Sequence, residues 1–548
     1  MPPVLILGAI LVAVMALADK ASAHLPVPRS ILLVLAGAVL AFIPGMPPVM
    51  IEPQLVLLLL LPPLLYSSGV GMSWRGFCDN LRPILLLAIG CVLFTAAAVA
   101  VAGHLVLGLP WAVAFVLGAV VAPPDAVAPM AIARRLNLPE RLLTVLEGEG
   151  LVNDATALIL FSFAVTAVGS GGVPVLAAAG SFVTIVAGEL AWGVLIGWSM
   201  LRLRFWLHEP RVEIVLALLT PFVAFWPPHM LGGSGVIAAV AAGLHVSWNG
   251  PRFISASTRL QGYFVWGLVV HLVEGLLFLL IGLQARTIAA RLQGDGWQQL
   301  ALAGLVVTAV VVVVRFVWVF PATYLPRWLL PSLKRREPYP PWRYPFIIGF
   351  TGIRGVVSLA AALSIPLELP GSGGTPFPDR DLVLFVAFCV IMATLVGQGS
   401  ALPWIIARLG LANAGAAEAA AAKAREVRAR VQGVDAALGE LDVLERGGAP
   451  AAAVASLRRR HDDRRAEFAG TADDGITGSP VADDAVLQAQ LIVAERDKIA
   501  ELYDRSEITD DARRRIEREL DLEDARNNHA LESATGDRVS DPAVEQET

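Results

Sequence analysis

The sequence has few charged residues and almost no cysteine. Only 16% of its 548 residues are charged, and 56% are hydrophobic, with a mean hydropathy of +0.65. Soluble domains carry about 25% charged residues, so this composition excludes an ordinary soluble protein and excludes disorder over most of the chain. The three cysteines, Cys78, Cys91 and Cys389, are too few and too far apart for a disulfide framework or a metal site.

The chain also lacks an excess of positive charge. Its net charge of −5 gives no basic domain of the kind that binds nucleic acid, so we expect no nucleic-acid partner. Residues 1–410 carry 23 Lys and Arg against 17 Asp and Glu, and residues 411–548 carry 19 against 30. This asymmetry predicts a transmembrane domain over 1–410 and a cytoplasmic helical tail over 411–548, disordered at its end. Regulation or dimer contact is one interpretation of the acidic tail, and plain solvation is the other.

Long apolar runs fill the first part of the chain. A membrane-spanning helix needs about 20 mostly apolar residues, and α-helices satisfy the backbone in lipid for runs of this kind. We therefore predict an all-α polytopic membrane protein in a lipid bilayer, with about 13 transmembrane helices. The candidate spans are 3–18, 30–45, 54–70, 83–107, 111–133, 142–169, 174–200, 212–227, 235–248, 262–284, 299–324, 345–366 and 382–407.

The basic residues between these spans predict the orientation. With the N-terminus outside, the inner connections hold 17 Lys and Arg and the outer ones hold 3, as the positive-inside rule requires. The tail is then cytoplasmic. Ala21-Ser22-Ala23 resembles a signal-peptidase site, but the apolar run before it has no basic start, which favours a retained first span.

Several spans carry ionisable residues, which are costly in a bilayer and mark ion pathways, and three of these residues lie in unusual local sequence. In the fifth span Pro123 and Pro124 precede Asp125, so the helix should break near the bilayer centre and expose carbonyl groups. A simple kink with a hydrogen-bonded Asp is the alternative. Arg354 lies between Gly352 and Gly355 in the twelfth span, which should be interrupted in the same way.

The sixth span carries most of the acidic groups: Glu147, Glu149 and Asp154, with Asn153 beside them. Asp154 is 13 residues past Arg141, which places it about 20 Å into the membrane. Such a set cannot face lipid. Two interrupted helices of opposite direction are typical of inverted-repeat transporters with a site at the midplane. Oxygen ligands without Cys or His clusters favour Na⁺ or a proton.

Several motifs in residues 61–355 together carry a family resemblance. The chain resembles the sodium/proton exchanger branch of the monovalent cation:proton antiporters, including its bacterial members, and the order of the motifs fits over roughly 1–410. The matching segments are Leu61-Pro62-Pro63-Leu64-Leu65-Tyr66, Pro123-Pro124-Asp125-Ala126-Val127, Leu146-Glu147-Gly148-Glu149, Asn153-Asp154-Ala155-Thr156, Ser234-Gly235-Val236, Ala242-Gly243-Leu244, the runs 278–284 and 315–321, and Gly352-Ile353-Arg354-Gly355.

The resemblance implies an ion site and an activity. It implies that Asp154 carries the cation and the proton, that Asn153 supports it, and that Asp125 and the Pro124 carbonyl lie where two broken helices cross. Asp154 and Asp125 would then hold the transported Na⁺. It further implies Na⁺/H⁺ exchange by alternating access in the plasma (inner) membrane, a homodimer, a role in pH homeostasis and no cofactor. The Asn-Asp pair implies electroneutral exchange.

The resemblance also implies a structural ion pair between Glu149 and Arg354. Two positions that bear on the cation preference depart from the family pattern: Gly150 stands where a hydroxyl residue is common, and Ser67 where many relatives have Glu.

Three further charged residues are accessory candidates. Glu274 either lines a cytoplasmic funnel or pairs with Arg315, and Glu147 lies near an entry point.

Three other functions fit part of the sequence. A K⁺/H⁺ antiporter would have the same fold. Gly232-Gly233-Ser234-Gly235 with His271 one span away resembles the nucleophile segment of an intramembrane serine protease, although this leaves the buried charges unexplained. A channel is the third, but channels favour symmetric pores and filters. The sequence therefore favours a carrier and not an enzyme.

Overall fold

The computed structural model describes residues 3–25, 27–44, 55–170, 174–207, 209–254, 256–291, 296–337, 339–369, 375–412 and 414–473, with scattered positions between 488 and 527. The chain divides into two compact units, Met1–Ala416 and Ala417–Thr548.

The first unit is helical, and helices occupy all thirteen predicted segments in its described part. They are α1 (Pro3–His24), α2 (Arg29–Ala41), α3 (Val56–Gly71), α4 (Trp74–Asp79), α5 (Leu81–Leu107), α6 (Trp111–Val121), α7 (Val127–Arg135), α8 (Glu140–Ser170), α9 (Val175–Leu207), α10 (Pro210–Met230), α11 (Val236–Phe253), α12 (Ala256–Arg291), α13 (Trp297–Leu329), α14 (Pro331–Arg336), α15 (Arg343–Phe350), α16 (Val356–Leu363) and α17 (Arg380–Arg408).

Length and apolar composition identify the membrane-crossing helices. Among the described residues, α5, α8, α9, α10, α12, α13 and α17 are long and apolar enough to cross a membrane, and four shorter apolar helices lie in α2, α3, α6 and α11. The chain is therefore an all-helical, multi-pass membrane protein. The total of thirteen spans and the inverted repeat stay predictions.

Two predicted spans are interrupted where the sequence suggested. Residues 122–126 separate α6 from α7, because Pro123 and Pro124 lack the N–H groups that would continue the helix. Residues 351–355, with two glycines, separate α15 from α16. Three π-helical stretches widen other helices, at Val56–Leu60 in α3, Leu86–Cys91 in α5 and Ala393–Gln398 in α17.

Glycines bring two pairs of helices into backbone contact. A Cβ added at Gly282 in α12 would overlap the Val34 carbonyl oxygen of α2, and one at Gly37 would overlap the carbonyl of Leu279. Gly69 in α3 and Gly243 in α11 approach each other in the same way. Small residues at helix contacts are typical of membrane proteins, because lipid supplies no hydrophobic drive for association and packing must replace it.

The second unit begins with a helical hairpin. Helices α18 (Ala416–Arg446) and α19 (Ala451–Asp473) are joined at Gly448, whose φ of +92° is easily adopted by glycine alone. Arg458 contacts Asp442 at 2.7 Å and Arg465 contacts Asp435 at 2.6 Å, so exposed ion pairs link the two helices. The rest of the predicted helical tail, with the end that was predicted to be disordered, lies mostly outside the described residues.

We predict that Gly282→Ala destabilises the protein. The added methyl group has to displace the α2 backbone, and overpacking of this kind costs roughly 1–3 kcal/mol. Gly267→Ala in the same helix is the matched control, because a Cβ added there would meet nothing within 4 Å. Thermal unfolding in detergent should show a lower midpoint for Gly282→Ala and an unchanged or higher one for Gly267→Ala. Equal midpoints would contradict the backbone contact.

Candidate functional site

The two helix interruptions cross each other at backbone distance. The Asp125 N–H donates a hydrogen bond of 2.6 Å to the Ile353 carbonyl oxygen. A Cβ at Gly355 would overlap the Asp125 carboxylate, so only glycine permits this approach. Each interruption therefore supplies a hydrogen-bonding partner for the other, in a region where backbone groups have no water to bind.

Arg354 stabilises the crossing by binding the free carbonyl end of α6. Its Nε donates to the Val121 carbonyl at 2.9 Å and one Nη donates to Ala122 at 3.4 Å, while the other Nη donates to Gly352. A cation is favourable at a helix C-terminus, where the last carbonyls lack intrahelical partners. The backbone N–H of Arg354 donates to Thr394 Oγ1 of α17 at 3.0 Å.

The predicted ion pair between Glu149 and Arg354 is wrong: the partner of Glu149 is Arg315. The two Nη atoms of Arg315 donate to the two carboxylate oxygens of Glu149 at 2.6 and 2.8 Å, and both side chains are 2% exposed. The Nε of Arg315 donates to the Ile348 carbonyl at 3.0 Å. This geometry satisfies both charges, whereas Arg354 is occupied by backbone carbonyls. A pairing of Glu274 with Arg315 is excluded for the same reason.

Asn153 and Asp125 hold the residues of the first interruption. Asn153 Nδ2 donates a 2.6 Å hydrogen bond to the Pro124 carbonyl, which ties α8 to the break. The Val127 N–H donates to Asp125 Oδ1 at 2.9 Å and so begins α7. Asp125 Oδ2 and Asn153 Oδ1 are buried and have no hydrogen-bond partner in the structure. The protein itself does not use the hydrogen-bonding capacity of these two oxygens.

A cavity of about 340 Å³ opens against the crossing. Four carboxylates line it, those of Asp125, Glu147, Asp154 and Glu274. Arg134 is also on its wall and contacts Glu147 at 3.1 Å. The cavity is thus lined by more acidic than basic side chains.

Two hydroxyl groups on the cavity wall complete the set of oxygens. Ser358 follows the second interruption, and its buried Oγ has no partner. Ser68 lines the cavity, whereas Ser67, the residue that the sequence singled out, does not. Among the described residues, no group of three or more His, Cys, Asp or Glu side chains is arranged to hold a metal ion.

Ser234 has the surroundings of a structural residue. Its Oγ lies 3.0 and 2.9 Å from the carboxylate oxygens of Glu189, which also accepts from the N–H groups of Gly235 and Ile237. Glu189 therefore caps the start of α11. His271 instead contacts Asp19 at 3.0 Å and Arg29 at 2.9 Å. The protease hypothesis based on Ser234 and His271 is wrong.

Comparison with known proteins places the chain among transporters. The family model described as "Sodium/hydrogen exchanger, transmembrane" matches residues 9–408. The chain is 35% identical over 506 residues to the "Uncharacterized Na(+)/H(+) exchanger Rv2287" of Mycobacterium tuberculosis, covering 90% of this chain and 91% of that one. It is 33% identical over 411 residues to the "Sodium, potassium, lithium and rubidium/H(+) antiporter" of Bacillus subtilis, covering 72% of this chain and 60% of the relative.

A solved structure shares the fold. The sodium proton antiporter MjNhaP1 of Methanocaldococcus jannaschii matches with a TM-score of 0.59 at 18% identity, and the match covers 74% of this chain and 99% of that one.

We predict that Glu149 and Arg315 are coupled in stability. Glu149→Gln or Arg315→Gln leaves one buried charge unpaired, which costs about 3–5 kcal/mol, and the double variant should regain part of this loss. The pair of Glu149→Gln with Arg354→Gln is the matched control and should show a clearly smaller coupling. Thermal unfolding of the two cycles gives the coupling energies, and a larger value for the Arg354 cycle would contradict the assigned pair.

Proposed function

The chain belongs to the sodium/hydrogen exchanger family, whose members are transporters and not enzymes, and we propose that it exchanges Na⁺, or another monovalent cation, for H⁺ across the membrane. The observation that carries this proposal is the crossing of the two interrupted helices beside a cavity that Asp125 and Asp154 both line. Carboxylates at such a crossing can hold a desolvated cation, because backbone and hydroxyl oxygens lie beside them.

Asp154 is the proposed shared carrier. Burial disfavours an isolated carboxylate anion, and a bound cation or a bound proton each removes that cost. Na⁺ and H⁺ therefore compete for one group, and only the loaded forms cross between the two sides. This competition gives exchange by alternating access, in the direction set by the gradients.

The neighbouring groups have supporting roles in the proposal. Asp125 Oδ2, Asn153 Oδ1 and Ser358 Oγ are buried oxygens without hydrogen-bond partners, and oxygens of this kind are the ligands that hard cations prefer. The Pro124 carbonyl and Asn153 fix the break, so that the ligands keep their places. Glu147 and Glu274 line the way into the cavity and attract cations.

Further properties of the transporter follow from the sequence pattern. One carrier carboxylate beside the neutral Asn153 suits electroneutral exchange of one cation for one proton. We also propose a homodimer in the plasma membrane, with the N-terminus outside and the tail in the cytoplasm, where exchange serves pH homeostasis.

The identity of the cation stays open between Na⁺ and K⁺. The Bacillus subtilis relative is named for four alkali cations, and Gly150 and Ser67 offer fewer side-chain ligands than the family pattern. Na⁺ is the first proposal because the family model carries its name.

We predict that Asp154→Asn abolishes exchange, because an amide neither takes up a proton nor balances a bound cation. Proton flux in inverted vesicles, measured after addition of Na⁺, K⁺ or Li⁺ in turn, should fall to the level of empty vesicles for every cation. Asp79→Asn is the matched control, since Asp79 is an exposed carboxylate outside the cavity. Unimpaired flux by a correctly inserted Asp154→Asn protein would refute the assignment.

We predict that protons weaken cation affinity by direct competition. Lowering the pH on the side to which Na⁺ is added should raise the KM for Na⁺. The maximal rate at saturating Na⁺ should not fall, because sufficient cation displaces the proton from Asp154. Initial rates across a pH series, with the membrane potential clamped at zero and at a negative value, measure this. A fall in maximal rate with constant KM would contradict competition, and a dependence on potential would contradict electroneutrality.

A further inference from the structure

Three arginines converge on one glutamate outside the cation cavity. Glu337 Oε2 accepts hydrogen bonds from Arg82 at 2.9 Å, Arg141 at 2.7 Å and Arg327 at 2.9 Å. These residues come from the start of α5, the start of α8, the end of α13 and the segment after α14. We call them the arginine cluster.

The arginine cluster has more positive charge and more donors than Glu337 satisfies. Three guanidinium groups surround one carboxylate, and Arg82 Nε, Arg82 Nη1 and Arg327 Nε are buried without a hydrogen-bond partner. Arg327 is 5% exposed, so its guanidinium group depends mainly on partners inside the protein. Unmet buried donors of charged groups are costly, and an added anion would remove that cost.

A second cavity, of about 240 Å³, adjoins the arginine cluster. All three arginines line it, and Thr323, Tyr339 and Tyr344 add hydroxyl groups. The remaining wall is apolar and includes Leu86, Val319 and Ile348. The Tyr324 hydroxyl donates to the Pro340 carbonyl at 3.1 Å and holds this wall in place. Such a cavity suits an anionic head with an apolar remainder.

Exposed aromatic residues flank the arginine cluster along the chain. Trp328 is 72% exposed, Trp342 is 55% exposed and Tyr339 is 42% exposed. Trp and Tyr are enriched at the level of the lipid headgroups. This places the cavity at the membrane surface, on the side to which the positive-inside rule assigns the cytoplasm.

We propose that the arginine cluster is a binding site for an anionic phosphate group. Arginine binds phosphate oxygens through two parallel N–H groups, and basic pockets between membrane helices suit anionic headgroups. The bound phosphate takes up the free donors of Arg82 and Arg327. Glu337 holds the three arginines together in the empty site and competes with the phosphate for them.

The test uses the full chain purified in detergent. Thermal unfolding and native mass spectrometry are recorded with phosphatidylglycerol, with phosphatidylcholine and with inorganic phosphate. We expect phosphatidylglycerol to raise the unfolding midpoint and to stay bound, and phosphatidylcholine to do neither. A response to inorganic phosphate as well would identify a soluble phosphate as a second ligand of the same site.

Substitutions at the basic and at the acidic residues of the arginine cluster distinguish a binding site from a purely structural cluster. Arg82→Gln and Arg327→Gln should weaken phosphatidylglycerol binding about tenfold, the loss expected for one charged hydrogen-bonding partner. Glu337→Gln should lower the midpoint without lipid yet enlarge the lipid-induced rise, because the competing carboxylate is gone. Arg211→Gln, at an exposed arginine of α10, is the matched control and should bind as the unaltered chain does.

Two results would overturn the proposal. One is an equal response to phosphatidylglycerol and phosphatidylcholine. The other is a lipid-induced rise that Glu337→Gln reduces as much as Arg82→Gln does, which a purely structural cluster would give. If Arg327→Gln fails to fold, Arg82→Gln is the deciding variant. The Arg82 side chain is 30% exposed, and its substitution still removes donors from the site.

Discussion

Backbone groups inside a bilayer must find partners within the protein, and the crossing of the two interrupted helices depends on that requirement. Pro123 and Pro124 free carbonyl groups at the end of α6, and Arg354 from the other interruption binds them. In the other direction, the Asp125 N–H of the first interruption donates a hydrogen bond to the Ile353 carbonyl oxygen of the second. Each break therefore depends on the other for its hydrogen-bonding partners. The cavity of about 340 Å³ opens where the two breaks meet.

The positions of the two buried arginines explain why the cavity stays acidic. Arg354 is occupied by backbone carbonyls and Arg315 by Glu149, so neither neutralises Asp125 or Asp154. A buried charge without a partner is costly, and the carboxylates of Asp125 and Asp154 have neither arginine as a partner. The buried charges that stabilise the fold are thus distinct from the carboxylates that line the cavity.

The sequence predicted the helical segments and the two breaks, because prolines, glycines and long apolar runs have strong local effects on helices. It did not predict the partner of Glu149. Distance along a span gives depth in the membrane, and Arg315 and Arg354 both lie at mid-span, so only the lateral arrangement of helices distinguishes them.

Helix rotation limited the sequence analysis in a second way. Ser68, not Ser67, faces the cavity, and the π-helical stretch Val56–Leu60 lies upstream in the same helix. One residue changes the direction of a side chain by about 100°. The family pattern singled out Ser67 by its position after Leu61-Pro62-Pro63, and that pattern does not show which of two adjacent serines lines the cavity. The sequence analysis missed Ser358, because a single serine in an apolar helix does not show whether its side chain lines a cavity.

The glycine contacts of α2 with α12 and of α3 with α11 have a mechanical consequence. At Gly37 and Gly282, and again at Gly69 and Gly243, one backbone lies directly against the other, with no side chain between them to change rotamer. Such helices cannot slide past each other without steric overlap. Each helix pair therefore moves as one rigid body or does not move. Sliding between helices is confined to contacts formed by longer side chains, which can change rotamer.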